Sequence, residues 1–239
     1  MSDGEALALL DDVKENFLKI APTLNIEVII CPSFTRLGEI KRKLKDEQMP
    51  FKLGAQDCFW EESGAYTGEV SPCDLKNIGC EFVILGHSER RIYFGETNET
   101  LIKKINAALA AGLIPIFCVG ETKEDRASGK TEAIIKKQLK ALIGVKINNE
   151  RFLIAYEPMW AIGTGKACSS TEAVRMHDFI KKEVRMILGK EAPILYGGSV
   201  DSANVSSYLA NASIAGVLVG GASAKKEIFV KLLLKANQM

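Results

Sequence analysis

Short apolar runs recur along the chain at 26–31, 52–55, 82–85, 114–119, 152–156, 194–196 and 217–219. They are rich in Ile, Val, Leu and Phe and show no apolar–polar alternation, which predicts strands buried on both faces, as in a parallel sheet. Between them, apolar positions repeat at helical spacing over 99–111, 131–143, 171–188 and 225–234. Ser or Thr stands at several of these starts, and Gly112 and Gly189 lie just past two ends, as helix caps require. Regular alternation of strand and helix demands a parallel sheet, either open and doubly wound or closed as a barrel. The order opens on a helix, since 5–18 carries Leu7, Leu10, Val13, Phe17 and Leu18 on one side and no strand-like run precedes it. No linker or low-complexity tract interrupts the alternation. The 239 residues are close to the length of one α/β barrel, so a single domain over 1–239 is expected.

Composition narrows the function classes. The 47% hydrophobic content supplies a large core, and 31 basic against 30 acidic residues give a net charge of +1. That balance carries no footprint for nucleic acid, so any bound anion must be held by local geometry such as backbone amides and helix ends. Runs such as 113–119 are broken by proline or glycine far short of a membrane span. The start is acidic (Asp3, Glu5, Asp11, Asp12), the opposite of a secretory or transit signal, and a cytoplasmic protein is expected. The six cysteines form no C-x-x-C pair, and with only His87 and His177 there is no zinc set. Reduced thiols are expected, with Cys31 and Cys118 filling core and Cys168 the most reachable.

Candidate chemistry gathers at strand ends. The run 153–156 leads directly into Glu157, Pro158 and a loop containing Gly163 and Gly165. Proline ends sheet pairing, and the two glycines allow Trp160, Ala161 and Ile162 to swing as an apolar flap over a carboxylate that accepts protons. Taken alone, Glu157 reads more readily as a strand-end carboxylate that caps a turn or pairs with a basic residue. At 82–91, F-V-I-L-G-H-S-E-R-R, a strand stops at Gly86 and His87 stands at its carboxyl end, with Ser88 and Glu89 opening a helix. The positive end of that helix disfavours an imidazolium, leaving His87 a neutral donor. A histidine merely packed at a strand end fits the same residues. The Arg90–Arg91 pair reads as a solvated or salt-bridged surface feature. The paired glycines of Y-G-G-S-V (196–200) and V-G-G-A-S (219–223) follow the last two strands, where barrels grip phosphate. Either pair alone is a weak signal.

Together, Y-E-P-M-W-A-I-G-T-G-K (156–166), I-L-G-H-S-E-R-R, Y-G-G-S-V and L-V-G-G-A-S resemble the triosephosphate isomerase family, as do G-A-Y-T-G-E (64–69) and C-V-G-E (118–121). The resemblance implies a TIM (β/α)8 barrel with seven of its eight strands in this chain. It implies interconversion of dihydroxyacetone phosphate and D-glyceraldehyde 3-phosphate through an enediol(ate), in glycolysis and gluconeogenesis, with no metal or organic cofactor. Glu157 and His87 would be base and electrophile, a pairing for which this family is itself the standing example; Ser88 and Glu89 would set the site. Gly163, Ser199, Gly220 and Gly221 would bind the phosphate. Pro158, Trp160, Ile162, Gly165 and Lys166 would form the lid, with Lys166 at a hinge and Tyr196 as latch. Thr67 would tip a loop inserted into a second copy of a homodimer.

The family's first strand ends in a segment near N-W-K-M whose lysine reaches the phosphate. This chain begins Met1-Ser2-Asp3-Gly4, level with the family's first helix. The expectation is a start-site truncation or partial gene model of a working isomerase, with impaired activity, weakened dimerisation and unpaired edges at 26–31 and 216–219. The rival expectation is a non-catalytic phosphate-binding or interaction protein built on the same fold. A barrel enzyme for another sugar phosphate fits the 156–166 motif less well.

Overall fold

The computed structural model describes residues 3–19, 23–145, 147, 151–162 and 167–239. Seven strands, β1 (Ile29–Ile30), β2 (Lys52–Ala55), β3 (Phe82–Leu85), β4 (Ile114–Val119), β5 (Leu153–Tyr156), β6 (Ile194–Tyr196) and β7 (Gly216–Val217), form one sheet. Every neighbouring pair is parallel, and the strands lie side by side in chain order. The helices among the described residues are α1 (Asp3–Val13), α2 (Leu37–Asp46), α3 (Pro72–Ile78), α4 (Ser88–Tyr93), α5 (Asn98–Ala110), α6 (Lys123–Ala127), α7 (Thr131–Leu139), α8 (Ser170–Leu188), α9 (Val205–Leu209) and α10 (Lys226–Ala236). The sheet curls into an open half-barrel with helices outside it, the α/β barrel class the sequence predicts.

Period-two alternation sorts the strand residues into two apolar layers. Phe82 and Ile84, Ile116 and Cys118, and Leu153 and Ala155 form an inner cluster, with Ile29, Cys31, Leu195 and Leu218 against it. Val83 and Leu85, Phe117 and Val119, and Ile154 and Tyr156 belong to the larger outer cluster shared with the helices. The same parity carries 153 and 155 on to Glu157, which therefore leaves β5 on the inner side.

Four strands keep the bounds read from sequence. The outermost two do not: 26–31 contracts to Ile29–Ile30 and 217–219 moves to Gly216–Val217. Among the described residues, β1 pairs only with β2 and β7 only with β6, so each gains ladder hydrogen bonds on one side alone. The first helix, read as 5–18, is α1 followed by a wider π turn at Lys14–Leu18 that buries Phe17. The helix read as 131–143 ends early and tightens into a 3₁₀ turn at Lys140–Leu142. Among the described residues no helix is long and apolar enough to cross a membrane.

Candidate active site

All strands run the same way, so the segments after β3, β4, β5, β6 and β7 open on one rim. Glu157 follows β5 and is 1% exposed. One of its oxygens, Oε2, accepts the backbone N–H of Ser88 at 2.8 Å. The other, Oε1, lies 3.2 Å from His87 Nε2 but out of line for a hydrogen bond, and is otherwise unpartnered. Burial is the main force on this carboxyl and pushes its pKa above the usual 4.5, while the neighbouring His87, the Ser88 amide and Cys118 pull it back. A carboxylate whose ionised form is penalised by burial, with one oxygen unspent, is a better proton acceptor than a solvated one.

His87 is the N-cap of α4, and its Nδ1 accepts the Glu89 amide at 3.3 Å. A nitrogen that accepts carries no proton, so in the neutral ring the hydrogen sits on Nε2, the side next to Glu157. The helix start thus fixes the tautomer. Glu89 itself is largely exposed, with a carboxylate oxygen 3.8 Å from Nδ1. Ser88 is buried.

Three glycines make the room that Glu157 and its neighbours occupy. A Cβ at Gly120 would stand 1.8 Å from the Glu157 carbonyl oxygen, and one at Gly197 would stand 2.9 Å from Glu157 Cγ. At Gly198 it would stand 2.2 Å from the Tyr196 hydroxyl. Gly197 and Gly198 therefore serve clearance around the carboxylate and the tyrosine. At Gly220 and Gly221 an added Cβ would meet nothing within 4 Å, which leaves open space beside two exposed backbone units.

The chain after Glu157 is tied down by a second buried carboxylate. Glu121, 0% exposed, accepts Trp160 Nε1–H at 2.7 Å and the Tyr156 hydroxyl at 3.2 Å. Burial raises its pKa, against those hydrogen bonds. The Arg126 guanidinium lies 4.3 Å from the Trp160 ring centroid. Pro158 leads into a 3₁₀ turn, Met159–Ala161, and Ile162 is half-buried.

A family model described as Triosephosphate isomerase matches residues 1–236. The chain belongs to the triosephosphate isomerase family. It is 48% identical over 238 residues to the triosephosphate isomerase of Dehalococcoides mccartyi, covering 98% of this chain and 91% of that protein. Against the triosephosphate isomerase of Dictyoglomus thermophilum it is 50% identical over 209 residues, 85% of this chain and 83% of the relative. The triosephosphate isomerase of Pelobacter propionicus is 43% identical over 236 residues, 96% and 92% of the two chains.

The residues that triosephosphate isomerase resemblance singles out fall as follows. His87, Ser88 and Glu157 converge at the mouth, with Glu89 at its outer edge. The amide of Ser199 donates to the Ala161 carbonyl at 3.1 Å, and its hydroxyl bonds the same oxygen. The Tyr196 hydroxyl accepts the Cys168 N–H at 3.2 Å. Thr67 is exposed in the turn that the Glu69 N–H closes onto the Tyr66 carbonyl. Gly163, Gly165 and Lys166 lie outside the described residues.

Two expectations are corrected. Cys168 is not reachable: it is 2% exposed, and burial pushes its thiol up to about 11. The arginine pair is not a uniform surface feature. Arg91 is half-buried, and donates to the carbonyls of Gly86 (2.8 Å) and Cys118 (3.0 Å), with burial lowering its pKa.

Arg90 joins a network the sequence did not announce. It contacts Asp57 and Glu96, each at 2.9 Å, and Lys104 lies 2.8 Å from both Asp57 oxygens and also bonds Glu96. The side chains of Asp57, Glu96 and Lys104 are 6%, 5% and 4% exposed. Two cations against two anions leave the cluster neutral, and it ties the segment after β2 to α4. Lys104→Met strips Asp57 and Glu96 of their shared buried partner. The expected cost is about 3 to 5 kcal/mol, read as a lower midpoint in urea; an unchanged midpoint would contradict the pairing.

Proposed function

We propose that this protein interconverts dihydroxyacetone phosphate and D-glyceraldehyde 3-phosphate, acting as a single domain over residues 1–239. The observation that carries the reading is the convergence of the buried, half-partnered Glu157 carboxylate with the Nε2 side of a tautomer-fixed His87. Glu157 takes a proton from the carbon beside the carbonyl while Nε2–H of His87 donates to the carbonyl oxygen, and an enediol(ate) forms. The proton of the neighbouring substrate hydroxyl passes to the former carbonyl oxygen, and return of the carbon-bound proton from Glu157 to the adjacent carbon completes the exchange. Ser88 N–H holds the far carboxylate oxygen, so the reacting oxygen keeps its aim through both transfers.

The phosphate would be held by backbone amides of Gly163, Ser199, Gly220 and Gly221, and the open space beside Gly220 and Gly221 suits an anion. The Ser199 amide would first have to leave Ala161. The segment from Pro158 through Trp160, Ile162, Gly165 and Lys166 would close over the intermediate, whose phosphate is easily lost to water, and Tyr196 would latch it. A homodimer joined through the Thr67 turn, working in the cytoplasm, completes the reading. Carboxylate, imidazole and oriented amides supply every step, without metal or organic cofactor.

A coupled assay of glyceraldehyde 3-phosphate conversion in D₂O tests it, with turnover and solvent deuterium in the product as the expected result. Retained substrate binding with neither would favour the rival, a non-catalytic phosphate-binding protein on the same fold. His87→Phe keeps a ring at the mouth and deletes the donor. A fall in kcat of roughly 10²-fold is expected, the low end for a proton-transfer partner; a change under threefold would remove His87 from the chemistry.

A further inference from the structure

Past the end of β4 the backbone goes on pairing with the chain after β5. Glu157 N–H donates to the Val119 carbonyl at 2.7 Å, and Met159 N–H donates to the Glu121 carbonyl at 3.1 Å. Successive residues of an extended strand present their backbone groups to opposite neighbours, so Gly120, between those two, turns its N–H and C=O away from β5. On that side β3 has already ended. Its last paired residue, Leu85, stands opposite Phe117, and Gly86, with φ of +74°, carries the chain off toward His87. Gly120 is buried, so both of its polar groups need a partner that the sheet does not supply.

Gln138, on α7, supplies both. Its Oε1 accepts the Gly120 N–H at 2.8 Å, and its Nε2 donates to the Gly120 carbonyl at 2.9 Å. A primary amide sets an acceptor and a donor side by side in one plane, whereas a carboxylate would serve only the N–H and a lysine only the carbonyl. Ile135 and Leu139, each 0% exposed, seat this part of α7 on the core, so the amide reaches out from a fixed base. The residue it clips is the one against which the Glu157 backbone lies. A Cβ on Gly120 would stand 1.8 Å from the Glu157 carbonyl oxygen and 3.2 Å from its Cα.

We propose that Gln138 is a positioning residue for the proton-accepting carboxylate: by tying down both polar groups of Gly120 it fixes the backbone from which the Glu157 side chain starts. The inference rests on the isomerase reading of Glu157. Among the described residues the hydrogen bonds of the Gln138 side chain go to Gly120 and not to Ser199, Gly220 or Gly221, so its role concerns the proton transfer rather than the grip on phosphate.

Gln138→Met keeps the length of the side chain and deletes both bonds. Its kcat for glyceraldehyde 3-phosphate should fall about tenfold, short of the roughly 10²-fold that a full ångström of misplacement costs. Its KM and the inhibition constant of glycerol 3-phosphate should stay within about twofold, the pattern of an interaction that matters in the transition state alone. A lower urea midpoint with kcat within twofold of wild type would make Gln138 a fold-stabilising residue only and overturn the proposal. So would a loss of glycerol 3-phosphate binding as large as the loss of kcat. Gln138→Glu keeps the acceptor for Gly120 N–H and loses the donor to its carbonyl; kcat should fall by about threefold or more with KM again unmoved. Should the methionine variant not fold, this one decides on the same criteria. Glu157→Gln separates the two readings. If it leaves turnover intact, the isomerase reading fails; if it abolishes turnover while both Gln138 variants keep kcat within twofold, only the positioning role fails.

Discussion

Glu157→Gln should lower kcat for triose phosphate isomerisation by roughly 10³- to 10⁴-fold, the upper reach of general-base catalysis. The amide keeps the size of the side chain and can still accept the Ser88 N–H, so the loss measures proton acceptance rather than collapse of the pocket. The same variant has a thermodynamic signature. The folded pKa of Glu157 is raised above the ordinary 4.5, so the carboxyl favours the fold when protonated. That contribution is complete below the unfolded value and disappears as pH rises through the folded one. Glutamine does not titrate. Melting temperatures of variant and wild type, compared at pH 4 and pH 7, should shift in favour of the variant at the higher pH. A constant difference would mean that the carboxylate is not penalised by burial, and kcat within tenfold of wild type would dismiss it as the base.

Gly120→Ala should destabilise the fold and slow the reaction together, since among the glycines of the described residues it makes the shortest contact. The added methyl would fall 1.8 Å from the Glu157 carbonyl oxygen and 2.6 Å from its carbon, both backbone atoms with no rotamer to yield. The two strand ends are already joined there, because Glu157 N donates to the Val119 carbonyl at 2.7 Å. Relief requires β5 to move away from β4, which costs about 3 kcal/mol on the scale of overpacked cores. It also displaces the carboxylate by an ångström or more, worth roughly 10² in rate. Urea denaturation and steady-state kinetics on the purified variant read both quantities. A variant within 0.5 kcal/mol and twofold of wild type would show that the contact relaxes freely.

Much of this was legible in the residues, and what was not has identifiable causes. Strands 82–85 and 114–119 are buried on both faces, so hydrophobicity alone marks their limits. The outermost strands obey pairing, which a run of apolar letters does not report. His87 and Glu157 stand where a run stops, and the rim of a parallel sheet gathers such positions. Glu121 closes C-V-G-E, and a carboxylate just after a strand ordinarily reads as loop. Its burial against Tyr156 and Trp160 depends on a single segment 35 to 39 residues further along the chain. Gly197 and Gly198 were read as anion-binding, whereas their immediate duty is clearance for Glu157 and Tyr196, a demand visible only once β5 and β6 are side by side. Cys168 stands beside a loop, where a thiol reads as reachable, but its side chain is buried and its backbone is bonded by the Tyr196 and Tyr208 hydroxyls. Asp57, Glu96 and Lys104 look like surface charges until α5 folds against the segment after β2.

Each strand of the sheet pairs with the next one along the chain, from β1 to β7. A growing polypeptide therefore never has to hold an unpaired strand in wait for a distant mate. Every addition closes a single helix-containing crossover, whose entropic penalty rises only with the logarithm of its length. Each such parallel pairing still forms more slowly than local helical contacts, because its crossover must close before the ladder rewards it. His87 acquires its helix cap as soon as α4 forms, whereas Glu157 arrives two strands later, so the proton acceptor meets an imidazole already oriented to receive it.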